Sequence, residues 1–231
     1  MWFSVLLELF YPSHCAGCGE ALFEKSRLCI TCWNSLPRLS ENLCPICSHE
    51  LHAAAARCEN CADRKLHFVS GVSSFRYQGL IRALVSQFKY LGDQSLKKVM
   101  GELIECAIND ERLDAVTFEA VVPVPLHPCR EREREFNQAR LLAQEVALRS
   151  KLPMKDILRR IKPTWTQVHS DRHERIENLR DAFVLKKKHS LSGNYLLVDD
   201  VLTTGSTLDA CAKVLLDAGA DGVWAVTVAR S

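Results

Sequence analysis

The chain has 231 residues, 47% of them hydrophobic, and a formal net charge of +2. That is material for one full core plus something small, and the mild charge neither demands nor forbids nucleic acid. Eight of the eleven cysteines lie before residue 62, which excludes a chain-wide disulfide framework and makes them ligands in one segment.

The first stretch, MWFSVLLELFYPSHC, is apolar. It has no basic n-region and no small-residue cleavage site, so it reads poorly as a signal peptide. It falls short of the roughly 20 apolar residues a bilayer span needs. The expectation is a short helix packed on its neighbours, in a cytoplasmic protein with no stable membrane insertion.

Four CxxC pairs follow: Cys15 and Cys18, Cys29 and Cys32, Cys44 and Cys47, Cys58 and Cys61. Each presents two thiolates from one tight turn, and two such turns complete the tetrahedral sulfur site of a structural zinc. Eight ligands imply two zincs. The short, similar gaps favour sequential pairing, the first four cysteines on one metal and the last four on the other, while the interleaved pairing of cross-braced fingers stays open. Disulfides would need an oxidising compartment. Few large apolar residues lie here, so the segment needs metal to fold. Residues 1–64 form this N-terminal helix and double zinc ribbon, and residues 65–231 form the second domain. His14, His49, His52 and His67 lie near the cluster but exceed its ligand count, and read as surface residues.

Residues 66–78 have strand character. In Gly79–Leu91, Leu80, Ile81, Leu84, Val85 and Phe88 recur at helical spacing. Gly92 and Asp93 end that helix, and Gln94–Ile108 reads as another. Ala120–Pro125 is a buried strand ending in prolines, followed by a loop to Arg130 and a helix that begins with alternating Arg and Glu. Arg132 and Arg134 read as a salt-bridged helix start, and Phe136-Asn137-Gln138 as the opening of the helix proper. Met154–Arg160 can form the next strand. The stretch from Lys162 to Arg172 has no apolar period, and basic residues exceed acidic ones from Arg159 to Lys188. Such a loop can close over a bound anion or hold a nucleic-acid backbone. Trp165 can stack on a base or pack on its own domain. Lys186-Lys187-Lys188 reads as a solvated turn.

The chemistry concentrates in YLLVDDVLTTGSTL, Tyr195 to Leu208. Tyr195–Val198 reads as a strand buried on both faces. Asp199 and Asp200 follow, then Val201, Leu202 and a run of small hydroxyl residues around Gly205, then a helix. Backbone N–H groups at a helix N-terminus favour an anion. Two acids beside it repel a phosphate but suit the hydroxyls or metal of the same ligand, so a sugar phosphate fits. The bland alternative is a strand end with a Thr/Ser helix cap. Asp221–Ala229 is the last strand. Strands alternating with helices after residue 115 give an α/β fold with a mostly parallel sheet, its site at the carboxyl ends of the strands.

The VVDD-x-x-TTG-x-T pattern, here LVDDVLTTGST, resembles the motif that binds phosphoribosyl pyrophosphate (PRPP) in type I phosphoribosyltransferases. The order of CxxC pairs, FRYQGLIRALVSQFKYLGD, VVPVPLHPCREREREFNQA and DDVLTTGST resembles the ComF family, competence and DNA-utilisation proteins that include GntX-like members. The resemblance covers nearly the whole chain. It implies a type I phosphoribosyltransferase-like α/β fold, with helices on both faces of the sheet, behind a double zinc ribbon. It implies catalytic acids at Asp199 and Asp200. PRPP would be bound with Mg²⁺ by Val201, Leu202, Thr203, Thr204, Gly205, Ser206 and Thr207, with Lys89 and Arg130 facing the ligand. The flexible loop of type I enzymes would carry Thr166, Gln167, Arg175 and Asn178. The implied partners are single-stranded DNA, PRPP or a similar sugar phosphate, and other DNA-uptake or recombination proteins. The expectation is a core with no base-selecting hood after the last strand and with zinc knuckles and two helices where one would precede it. The two expected functions are therefore a DNA-handling factor that holds a PRPP-type ligand and an active Mg²⁺-dependent phosphoribosyltransferase.

Overall fold

The computed structural model describes residues 13–22, 26–51, 56–90, 95–162, 179, 181–188 and 190–231. Residues 1–12 of the apolar N-terminal stretch, His52, the Gly92-Asp93 helix end, Trp165 and the flexible-loop residues Thr166, Gln167, Arg175 and Asn178 lie outside these. From residue 71 the described elements run β1 (Gly71–Arg76), α1 (Gly79–Tyr90), α2 (Ser95–Ile108), a one-turn helix at Glu111–Asp114, β2 (Phe118–Pro123), α3 (Pro128–Arg134), α4 (Gln138–Ser150), β3 (Leu158–Arg160), β4 (Phe183–Leu185), β5 (Asn194–Leu202), α5 (Ser206–Asp217) and β6 (Gly222–Arg230).

β1, β6, β5 and β2 lie side by side in that order, and every pair is parallel. The period of two along each strand splits the side chains between two cores. Val121, Leu196, Val198, Val226 and Val228 face the helices α1, α2 and α4, where Ile81, Leu84, Val85, Phe88, Leu103 and Leu142 are buried. Ala120, Val122, Tyr195, Leu197, Val223 and Ala225 face α5, with Leu208, Cys211 and Leu215. Helices on both faces explain why Tyr195–Val198 has no polar break.

Three expectations change in detail. The strand around Tyr195 runs on through both aspartates to Leu202, because its ladder with β6 continues as far as the Leu202–Arg230 pair. The Arg/Glu run is a short helix of its own, Pro128–Arg134, ahead of the expected opening at Phe136-Asn137-Gln138. Glu135 is left-handed at φ 66°, and Asn137 restarts the helix, its side chain accepting from the Ala139 N–H at 3.0 Å and donating to the Val124 carbonyl at 3.0 Å. Met154–Arg160 is no member of the main sheet. Met154 makes a single parallel bridge to Val121, and Leu158–Arg160 pairs antiparallel with Phe183–Leu185 in a separate ribbon. Asp156 lies between these two pairings, drawn to Arg140 at 2.9 Å and Lys186 at 2.7 Å.

The cysteine-rich segment wraps the sheet's free edge. Its connecting residues 37–39 pair with β1: Arg76 N–H donates to Pro37 and Leu39 N–H to Ser74. An edge strand that would invite foreign pairing is thereby covered. Cys15, Leu28 and Leu36 join the core under α1 and α2, while Cys44, Cys47, Cys58 and Cys61 join the core that holds α5.

Candidate functional site

The eight cysteines form two groups, Cys15, Cys18, Cys29, Cys32 and Cys44, Cys47, Cys58, Cys61, each with its sulfurs within 4.8 Å of one another. This is the sequential pairing. All eleven cysteines are free thiols. A tetrahedral zinc with Zn–S near 2.3 Å places its sulfurs ~3.8 Å apart. Cys18 and Cys29 stand at 3.7 Å and Cys47 and Cys58 at 3.5 Å. Both groups therefore fit structural zinc by number, chemistry and spacing. Short turns supply the geometry: Gly19 N–H returns to the Cys15 carbonyl, and Ser48 N–H to that of Cys44.

At the carboxyl end of the sheet, β5 delivers Asp199 and Asp200 to opposite sides. Asp200, on the parity of Leu196 and Val198, reaches Lys89 at the end of α1, Nζ to Oδ2 2.9 Å. Burial opposes the Lys89 charge, but Asp200 overrules it and holds the ammonium pKa above its usual value. Asp199, on the parity of Tyr195 and Leu197, lies in the field of Arg160 and near Cys211. Burial, then the charge of Asp200, pushes the Asp199 carboxyl up to about 7, against the pull of Lys89 and Arg160. Burial likewise lowers the Arg160 pKa.

The hydroxyl loop turns at Gly205, left-handed at φ 77°, directly before α5. Only glycine adopts this without strain. Thr204 Oγ1 and Ser206 Oγ bond at 2.9 Å. Thr203 is exposed, and Val201, Thr204 and Thr207 are half-buried. Leu202 points into the core, and its carbonyl accepts from Arg230 Nη1 at 3.1 Å and Ser231 N–H at 3.0 Å. Its contribution is the loop's footing.

Arg130 sits on α3, paired with Glu133 at 3.3 Å and close enough to Arg160 to lower that residue's pKa. Arg132 donates to Cys129 Sγ at 3.5 Å and Arg134 to Gln138 Oε1 at 3.1 Å, a thiol and an amide where the sequence predicts carboxylates. The structure thus gathers Lys89, Arg130, Asp199, Asp200 and the loop around one strand end.

Sequence reasoning missed Arg160, whose one signal was that in a strand it shares the face of the apolar Leu158. It also missed Gln138, whose side chain donates to the Lys89 carbonyl at 3.3 Å and so ties α4 to the end of α1. His67 is exposed as expected but not idle: its backbone N–H and ring Nδ1 meet Asp209 at 2.6 and 3.1 Å. Among the described residues, no helix is long and apolar enough to cross a membrane.

Residues 6–62 match the double zinc ribbon domain family. Competence protein F of Haemophilus influenzae is 31% identical over 96% of this chain and 99% of its own length. Competence protein ComFC of Bacillus subtilis is 29% identical over 89% of this chain and 85% of its own. The DNA utilization protein YhgH of Salmonella typhi is 30% identical over 84% of this chain and 86% of its own. With this agreement along nearly the whole length, and both cysteine clusters in place, the chain belongs to the ComF family.

Proposed function

We propose that this protein serves DNA uptake or the use of external DNA, binding single-stranded DNA and holding a PRPP-type sugar phosphate with Mg²⁺ at the end of β5. The names of its relatives support the first part. The observation that carries the second is the convergence of an acid pair, a hydroxyl loop at a helix N-terminus and the basic Lys89, Arg130 and Arg160 at one strand end. The loop's N–H groups and hydroxyls suit the monoester phosphate, the basic side chains the diphosphate. Carboxylate oxygens are hard ligands for Mg²⁺ and accept hydrogen bonds from a ribose diol. Asp200 must exchange Lys89 for that ligand, which frees the ammonium for the diphosphate.

For the DNA, exposed Arg159, Lys162, Lys187 and Lys188 line the β3–β4 ribbon and its flanks. A backbone held this way gives binding that weakens steeply with salt. Mg²⁺-PRPP should raise the melting temperature of pure protein, and Asp200→Ala should abolish the rise. A melt that Mg²⁺-PRPP leaves unmoved would remove the ligand. Zinc-loaded protein that fails to retain an oligonucleotide at low salt would remove the DNA role.

The second reading is a working transferase, in which an amine or base displaces pyrophosphate at the anomeric carbon. Asp199 favours it, since a carboxyl near 7 can exchange a proton with an acceptor at neutral pH. Its catalysis would rest on positioning and charge. Pyrophosphate release from PRPP with any member of a panel of bases, amines and oligonucleotides decides for it.

A further inference from the structure

The hydroxyl loop is held from behind by residues of the second zinc knuckle and its exit. Arg64 follows Cys61 by three residues, and its Nη1 donates to the Thr204 carbonyl at 2.6 Å. Phe68 is buried in the core that contains Cys44, Cys47, Cys58 and Cys61. Its ring lies 3.4 Å from where a Cβ on Gly205 would stand. Arg230, buried at the end of β6, donates to the Leu202 carbonyl, and its other terminal nitrogen approaches Cys47 Sγ at 3.9 Å. Four thiolates on one Zn²⁺ would leave a net negative charge, and a buried guanidinium beside Cys47 would offset part of it while fixing a second-layer contact.

The peptide plane turns these contacts into directions. In a trans peptide the carbonyl and the following N–H point opposite ways. Holding the Thr204 carbonyl toward Arg64 sends the Gly205 N–H the other way. Holding the Leu202 carbonyl toward Arg230 does the same to the Thr203 N–H. We infer that Arg64 and Arg230 are positioning residues, braced on the second four-cysteine cluster, that aim the Thr203 and Gly205 N–H groups at the anion site. The aim of the amides stands on its own, and their use by a PRPP-type anion rests on the function proposed above. Among the described residues, the first knuckle has no contact with the hydroxyl loop. Its contacts run to Leu80 on α1, where Gly17 packs close, and to Glu102 on α2 through Ser26.

The experiment uses full-length, zinc-loaded protein and two readouts: amide hydrogen exchange across residues 203–209 and Mg²⁺-PRPP affinity. Arg64→Met should keep both zincs, speed exchange in the loop and weaken Mg²⁺-PRPP by about tenfold or more, the scale of a lost charge-assisted hydrogen bond. Arg64→Lys, which keeps a donor, should recover most of both. Cys18→Ser, which costs the first zinc, should leave loop exchange at the wild-type rate, whereas Cys58→Ser should raise it. The inference fails if loop exchange is the same in Arg64→Met as in wild type, or if Cys18→Ser loosens the loop as much as Arg64→Met. Faster loop exchange in Arg64→Met, with no PRPP binding even by wild type, would uphold the positioning and discard the ligand. Unchanged exchange with intact PRPP binding would do the reverse.

Discussion

The two zinc knuckles repeat the same pattern, two CxxC pairs with ten residues between them. Yet they stand in unlike surroundings. All four sulfurs of the second are buried, whereas in the first Cys18 is exposed and Cys29 and Cys32 are half-buried. The first packs on α1 and α2, the second beneath the hydroxyl loop and against Arg230. Spacing chooses the metal, and burial decides what the metal supports. The adjacent aspartates repeat the lesson: one residue type on consecutive positions, one paired with Lys89 and the other held near neutrality.

The widest gap should appear on breaking each knuckle. Cys61→Ser leaves three buried thiols without their metal inside a core, while Cys18→Ser opens a site already at the surface. Losing structural zinc costs folding energy outright, and about 1 kcal/mol moves the melting point of a chain this size by roughly 2–4 °C. Cys61→Ser is expected to lower the melting temperature by on the order of 10 °C or more and Cys18→Ser by clearly less, read by calorimetry with zinc content measured alongside. Equal losses would show that burial does not rank the two sites.

Next in size is the contrast between the acids in ligand binding. Asp200→Asn removes the partner that holds Lys89 and a hard oxygen donor. It should weaken Mg²⁺-PRPP by about 100-fold, the range for removing one side of a charged pair. Asp199→Asn removes a carboxyl that is partly protonated at neutral pH and should cost less, by titration calorimetry. The reverse order would mean that Asp199 is the acid the ligand uses.

A smaller effect separates a cap from a site. Asn137→Ala loses an N-cap bond and leaves the Val124 carbonyl without its donor, a cost of about 1–2 kcal/mol in denaturant melts. PRPP affinity should change little if Asn137 only fixes the start of α4.

These contrasts mark what the sequence could say. The parallel sheet was legible because strand and helix periods alternate cleanly after residue 115, and Tyr195–Val198 is apolar on both parities. The metal clusters were legible because CxxC turns carry their geometry in the chain itself. Arg64 and Arg230 were not, because they reach the loop across 140 and 28 residues of chain to meet backbone carbonyls, which have no residue type to read. The opening of the long helix at Phe136-Asn137-Gln138 was legible, but the left-handed turn at Glu135 was not, because an Arg/Glu run is good helix sequence throughout. Asn137, bonded to the Val124 carbonyl and capping the next helix, fixes where the chain restarts. The Lys89–Asp200 pair was not legible either, since nothing in the sequence says which residue stands beside a lysine at the end of a helix.

The finest test lies in the pH dependence of Asp199. An ordinary aspartate titrates near 3.8, and in the folded protein this one is raised to about 7, first by burial and then by Asp200. Well below 3.8 both folded and unfolded chains hold the proton, and the group contributes nothing to the slope. As pH rises from there to about 7, the unfolded chain releases its proton freely and the folded chain keeps it. The folded state then binds more protons, and stability must fall with rising pH. Above about 7 both are ionised and the loss levels off. Asp199→Asn removes this slope. The melting temperature of the variant should therefore gain on wild type between about pH 5 and pH 7 and run parallel above. Because the charge of Asp200 helps raise Asp199, placing Asp200→Ala behind both proteins should move that levelling-off to lower pH. A constant offset between wild type and Asp199→Asn across the whole range would mean that Asp199 titrates as an ordinary carboxylate and that the two acids differ in position alone.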